Sequence, residues 1–224
     1  MINKKNKQSN EVSLKFMKKE YMFSFQFVEK DFDYYYDEIF EFCERAEKET
    51  TLDKTKNNMK AEGWEKYPES LLYRLYYSRK YDDGNGALSI LYDSPGNICS
   101  MAGVERHTNN IAIMAKRYYV RRKYRFMPLL SNFILGPQVE WATKKGFKVC
   151  LITVNEYQRH TVLQLFKRAQ KRKAMILGDK VYPEGNIYEK MQIVPVKTFI
   201  NGEYQFIIVH KIDDNYNLDY EELK

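Results

Sequence analysis

The chain has 224 residues, 44% hydrophobic and 15% aromatic, and carries a formal net charge of +7. That is ample apolar material for a packed core, while no run of the roughly 18 apolar residues a membrane span requires is present, and the Lys-rich opening lacks the apolar segment of a secretory signal. A globular, cytoplasmic protein is expected, without a disulfide framework or metal centre, because Cys43, Cys99 and Cys150 are scattered through apolar segments and His107, His160 and His210 are equally dispersed.

Residues 1–19 are polar and read as a disordered arm, and the acidic residues 213–224 as a mobile tail. YMFSFQFVEK alternates as a strand does. In the segment that follows, Tyr35, Ile39, Cys43 and Ala46 are spaced as one face of a helix that Asp33 could cap. A second helix is expected in PESLLYRLYYSRKY, with Pro68 in its first turn, and DDGNG then turns the chain. ALSILYD, ICSMAGVERH and IAIMAKRYYV follow as three strands joined by short turns, hence antiparallel neighbours. A helix is expected from about Pro128 to Lys145, bent or interrupted at Gly136-Pro137 and stopped at Gly146. The strand FKVCLITV comes next, and then a helix whose buried stripe is Val162, Leu165, Phe166 and Ala169. IYEKMQIVPV and a hairpin turning at Asn201-Gly202 close the chain, which reads as one domain without internal repeats.

Charge is unevenly placed. Between Glu105 and Glu140 there is no acidic residue, while Arg106, Lys116, Arg117, Arg121, Arg122, Lys123 and Arg125 all lie there; a second cluster comprises Lys167, Arg168, Lys171, Arg172 and Lys173. Such clusters attract polyanions, whether a phosphorylated carrier or nucleic acid. A strand running into a helix also presents unpaired amides and the positive end of the helix dipole.

The corner Tyr119-Val120-Arg121-Arg122-Lys123-Tyr124-Arg125, together with the element order, resembles the GNAT family of acetyl-CoA-dependent N-acyltransferases. The resemblance covers roughly residues 20–212 and is strongest from Ile111 to Phe166. It implies an α/β (α+β) fold: a mixed, mostly antiparallel twisted sheet with helices on both faces. In that family, amides of an Arg-x-x-Gly-x-Gly loop hold the pyrophosphate of coenzyme A. Here Arg125 takes the Arg position, Phe126 and Met127 the variable places, and Pro128 and Leu130 stand for the two glycines. The resemblance therefore assigns cofactor contacts to Tyr119, Val120, Arg125, Phe126, Met127, Leu129 and Leu130. Asn155 falls where many members place an Asn that bonds the pantetheine arm, and is equally suited to cap a helix. Phe166 replaces a Tyr that often protonates the departing thiolate.

The function so implied is transfer of an acyl group from acetyl-CoA to a primary amine of a small molecule or a protein. No catalytic residue is assigned; Glu105, with His107 two residues on, is the nearest candidate base and equally reads as a surface carboxylate at a strand end. Two alternatives stand beside it: a GNAT-shaped binding module without catalysis, and a nucleic-acid-binding protein in which Tyr118, Tyr119 and Tyr124 stack between basic residues. The last is disfavoured by the element order. The Lys-, Asn- and Tyr-heavy composition is also that of many phage proteins, which would place the protein in a host cytoplasm.

Overall fold

In the computed structural model, residues 10–56, 81–125, 127, 133–155, 175–177, 180–182, 191–197 and 204–219 are described. Among the described residues, hydrogen bonding arranges eight strands in the order β1 (Asn10–Phe16), β2 (Lys19–Val28), β3 (Gly86–Asp93), β4 (Ile98–Arg106), β5 (Ile111–Val120), β6 (Val149–Asn155), β10 (Tyr204–Lys211) and β9 (Met191–Lys197), with β7 (Met175–Leu177) and β8 (Lys180–Tyr182) as a separate antiparallel pair. The sheet is mixed and mostly antiparallel. The chain divides into two compact units, Met1–Ala102 with Arg117–Leu129, and Gly103–Lys116 with Leu130–Lys224, so β4 (Ile98–Arg106) and β5 (Ile111–Val120) each run through both.

In the first unit, β1 (Asn10–Phe16) pairs antiparallel with β2 (Lys19–Val28), from Asn10↔Phe25 to Phe16↔Lys19. The polar opening is therefore no arm from Asn10 onward. Val12 is buried while Glu11, Ser13 and Lys15 are exposed, the period-two pattern of a strand with one face covered. Its hairpin turns through Met17 and Lys18, whose positive φ values of 49° and 63° match the twist of antiparallel strands. β2 also pairs antiparallel with β3 (Gly86–Asp93), Phe23 opposite Asp93.

A 3-10 turn, Phe32–Tyr35, leads into α1 (Tyr36–Lys56). Asp31, in the left-handed conformation, precedes the turn, and the Asp33 carbonyl accepts the Tyr36 amide. The apolar spacing acts as expected, since Ile39, Phe42 and Cys43 are buried with Leu88, Ile90 and Tyr92 of β3 and Met101 of β4, and Tyr35 packs beside them. Asp37 and Glu38 in the first turn complement the helix dipole. The expected second helix at 68–81 and the helix after Asn155 lie outside the described residues, Tyr81 excepted.

In the second unit, β6 (Val149–Asn155) pairs antiparallel with β10 (Tyr204–Lys211), which pairs antiparallel with β9 (Met191–Lys197). The ladder sets Lys197 opposite Tyr204, and the expected Asn201-Gly202 turn lies outside the described residues. The described α-helix α2 runs Leu135–Lys144, preceded by a π turn at Phe133 and Ile134. Gly136-Pro137 thus stands in its first turn, where proline's missing N–H has no intrahelical partner to lose, and the expected helix start at 128–132 lies outside the described residues. Residues 213–219 are not a free tail: Tyr216 and Leu218 pack on Ile111, Val149, Leu151, Ile207 and Val209, and Asp213 pairs with Lys148 at 3.3 Å. No helix among the described residues is long and apolar enough to cross a membrane.

Candidate functional site

β5 leaves the sheet at Arg121, whose amide donates to the Cys99 carbonyl at 2.9 Å. A 3-10 turn, Arg122–Tyr124, comes next, so the strand does not pass directly into an α-helix. Within the turn the amides of Tyr124, Arg125 and Met127 donate to the carbonyls of Arg121, Arg122 and Tyr124. Tyr124 pins it from inside. Its ring is buried, edge-on to Phe23 at 5.8 Å, and its hydroxyl donates to Asp93 Oδ2 at 3.0 Å. Burial, first, raises the Tyr124 phenol above its ordinary pKa. The other Asp93 oxygen, Oδ1, accepts the Asn97 amide at 2.9 Å, so one carboxylate ties the β3–β4 turn to the basic corner.

The guanidinium groups of the corner meet a carboxylate from α1. Glu49 Oε1 accepts from Arg121 Nε at 3.2 Å, Glu49 Oε2 accepts from the Arg122 amide at 2.8 Å, and Arg125 Nη2 stands 4.0 Å from the same oxygen. Arg125 is held further by its own strand: Nε donates to the Val120 carbonyl at 3.3 Å and Nη2 to the Tyr119 hydroxyl at 3.2 Å, with the guanidinium 5.9 Å from the Tyr119 ring centre. Tyr119 in turn packs edge-on against Phe42 of α1 at 5.8 Å. The result is a seat for a two-oxygen anion, built from one amide and two guanidinium groups. Beside it lies a cleft lined by Glu38, Glu41, Phe42 and Arg45 of α1, Asn97 and Arg121.

In the second unit the parallel ladder between β5 and β6 covers Ile111↔Val149 to Ile113↔Leu151 among the described residues. Two residues beyond it, Ala115 takes the left-handed conformation, φ 50°, and its amide donates to Gln138 Oε1 at 2.8 Å. Gln138 is fully buried on α2, so a helix side chain satisfies an amide that the kink turns away from the ladder. Glu105, the candidate base, is ion-paired with Lys116 at 2.9 Å, and His107 lies exposed in the β4–β5 turn. Burial raises the thiols of Cys99 and Cys150 far above their ordinary range, which removes both as nucleophiles.

Of the residues assigned from the sequence, Tyr119, Val120 and Arg125 are brought together at the β5 exit. Met127 follows them, with its amide already donated to Tyr124. Phe126, Leu129 and Leu130 lie outside the described residues. Asn155 is the last residue of β6, opposite Gln205, and its side chain is outside the description. Sequence reasoning missed Glu49, Asp93 and Gln138, each of which acts across a long stretch of chain. Only Glu49 left a trace, following Glu41 and Arg45 at four-residue steps along one face of α1.

No protein-family model matches the sequence, and no curated protein matches it. Solved structures do. RimL, a ribosomal-protein alpha-N acetyltransferase in complex with coenzyme A, is 9% identical, with 85% of this chain and 96% of that one covered and a TM-score of 0.53. The PaiA N-acetyltransferase of Thermoplasma acidophilum, also with coenzyme A, is 13% identical over 84% of this chain and 99% of that one, with a TM-score of 0.50. The chain has the fold of the GNAT acetyltransferases. An acetyltransferase of that family from Staphylococcus aureus is 14% identical over 84% of this chain and 99% of that one, with a TM-score of 0.48. In the GNAT-fold chain described here, β1 precedes the part of the sequence in which the resemblance was expected.

Proposed function

We propose that the protein is an acetyl-CoA-dependent N-acetyltransferase acting on a primary amine of a small molecule or a protein. The observation that carries the reading is the kink of β5 at Ala115, supported by Gln138 two residues beyond the described parallel ladder with β6, within a fold shared with two structures that hold coenzyme A. A kinked strand can offer its backbone to an extended ligand, as a sheet edge does.

The donor set at the β5 exit also fits an acyl carrier. Arg121 and Arg125 are guanidinium groups already positioned around oxygens of a bound carboxylate, and a diphosphate offers the same acceptor chemistry with more charge. In this reading Arg125 bonds the diphosphate, the backbone at Tyr119 and Val120 lies along the carrier, Phe126, Met127, Leu129 and Leu130 contribute the loop that follows, and Asn155 bonds the pantetheine arm. Acetyl-CoA supplies the activated acyl group. The protein holds amine and thioester at reacting distance and provides for loss of one amine proton.

Isothermal titration calorimetry with acetyl-CoA tests this directly. The wild type is expected to bind, and Arg125→Ala to bind about tenfold more weakly, a loss typical of one charge-assisted hydrogen bond. Absence of binding by the wild type at millimolar acetyl-CoA would remove the enzyme reading.

A further inference from the structure

The arginines that a diphosphate needs are already engaged by Glu49, and that engagement has a cost to any incoming anion. We propose that Glu49 is an internal competitor for the anion seat at the β5 exit, so that a diphosphate-bearing ligand binds by displacing it. The inference rests on the acyl-carrier reading for the identity of the natural ligand, but not for the seat itself.

Three features of the geometry support displacement over a purely structural tie. The two oxygens of Glu49 take different donors, Arg121 Nε at 3.2 Å and the Arg122 amide at 2.8 Å, which is how a phosphate oxygen pair is received. Arg125 stands at the edge of the pair, 4.0 Å away, and a larger anion would reach it without moving Glu49's backbone. Part of each side chain remains in contact with solvent, Arg121 30%, Arg125 29% and Glu49 20% exposed, so an anion in solution can reach the tie.

Charge gives the direction. Arg121, Arg122, Lys123 and Arg125 fall within five consecutive positions, a density of positive charge that attracts polyanions. A diphosphate brings more negative charge to it than the carboxylate it displaces. Glu49 therefore sets the threshold of anion affinity without abolishing it.

Displacement has a mechanical consequence. Glu49 lies on α1, and the same helix supplies Glu38, Glu41, Phe42 and Arg45 to the neighbouring cleft, which Arg121 completes. Release of Glu49 unties the C-terminal turns of α1 from the strand exit. Occupation of the anion seat is thereby communicated to the cleft through one rigid element.

The test uses the full chain, with inorganic pyrophosphate and coenzyme A as separate probes in calorimetric titrations of the wild type, Glu49→Gln and a charge-matched control, Glu11→Gln on exposed β1. Glu49→Gln is expected to bind pyrophosphate about fivefold more tightly than the wild type, the affinity equivalent of an exposed ion pair of about 1 kcal/mol. Glu11→Gln should stay within about twofold. Hydrogen exchange over residues 44–56 of the wild type should speed up when pyrophosphate binds. Equal or weaker binding by Glu49→Gln, or no pyrophosphate binding by either protein, overturns the proposal; unchanged exchange in α1 overturns its mechanical part. Tighter pyrophosphate binding without any coenzyme A binding removes the acetyltransferase reading and leaves the competitor role standing. Coenzyme A bound equally by both proteins does the reverse. Should Glu49→Gln melt well below the wild type, Glu49→Asp, one methylene shorter, must give an intermediate gain for the proposal to survive.

Discussion

The exits of β5 and of α2 are both basic turns, arginine-rich after β5 and lysine-rich after α2, and they are closed by different means. At the α2 exit, Gly146 takes φ 81°, its amide donates to the Thr143 carbonyl at 3.0 Å, and the Phe147 amide donates to the Ala142 carbonyl at 3.0 Å. This is a Schellman end, and its usual apolar contact is present as Trp141 stacked on Phe147 at 5.5 Å. Every partner lies within six or seven residues. At the β5 exit the partners are Glu49, 72 positions from Arg121, and Asp93, 31 positions from Tyr124. A turn closed locally draws on its own sequence; a turn whose local bonds are joined by distant carboxylates depends on the tertiary structure that delivers them.

Three substitutions would break or sharpen that contrast. The largest effect is expected of Trp141→Ala, which removes a buried aromatic from the α2 exit and should lower unfolding free energy by about 3–5 kcal/mol in a urea titration. A loss below about 1 kcal/mol would mean that the stack contributes little and the contrast is misdrawn. Tyr124→Phe comes next. It deletes only the hydroxyl that reaches Asp93, and about 1–2 kcal/mol should be lost by the same measurement, because the carboxylate forfeits a donor. An unchanged midpoint would show the ring alone to be the anchor. Gly146→Ala should have the smallest effect, about 1 kcal/mol, since a Cβ there meets no atom within 4 Å and only the left-handed backbone resists it. If alanine is tolerated without loss, the backbone motif does not close the helix.

Much of the fold was legible. Alternation in YMFSFQFVEK marked β2, the apolar runs ALSILYD and IAIMAKRYYV between turn signals marked β3 and β5, and the glycine at 146 marked the helix stop, because these signals are carried by the residues that form the element. β1 was misread: its alternation is short and mostly polar, and it becomes a strand only because β2 offers an edge with which to pair. The segment 213–219 was misread for a similar reason, since Tyr216 and Leu218 find their apolar partners on β5, β6 and β10. At the site, Tyr119, Val120 and Arg125 were legible as a pattern near one strand end. Gln138 was not, because a buried glutamine on a helix acquires its purpose only from the Ala115 amide it reaches.

By itself the sequence determined which stretches alternate, where the chain turns, and that positive charge gathers after Val120, all of which depend on residue type and near neighbours. Tertiary structure alone decided what that charge faces: the carboxylates of Glu49 and Asp93, delivered by α1 and by the end of β3. The physical reason is that hydrogen bonds and ion pairs act over a few ångströms of space, whatever the separation along the chain, and no local pattern records which distant oxygen will arrive.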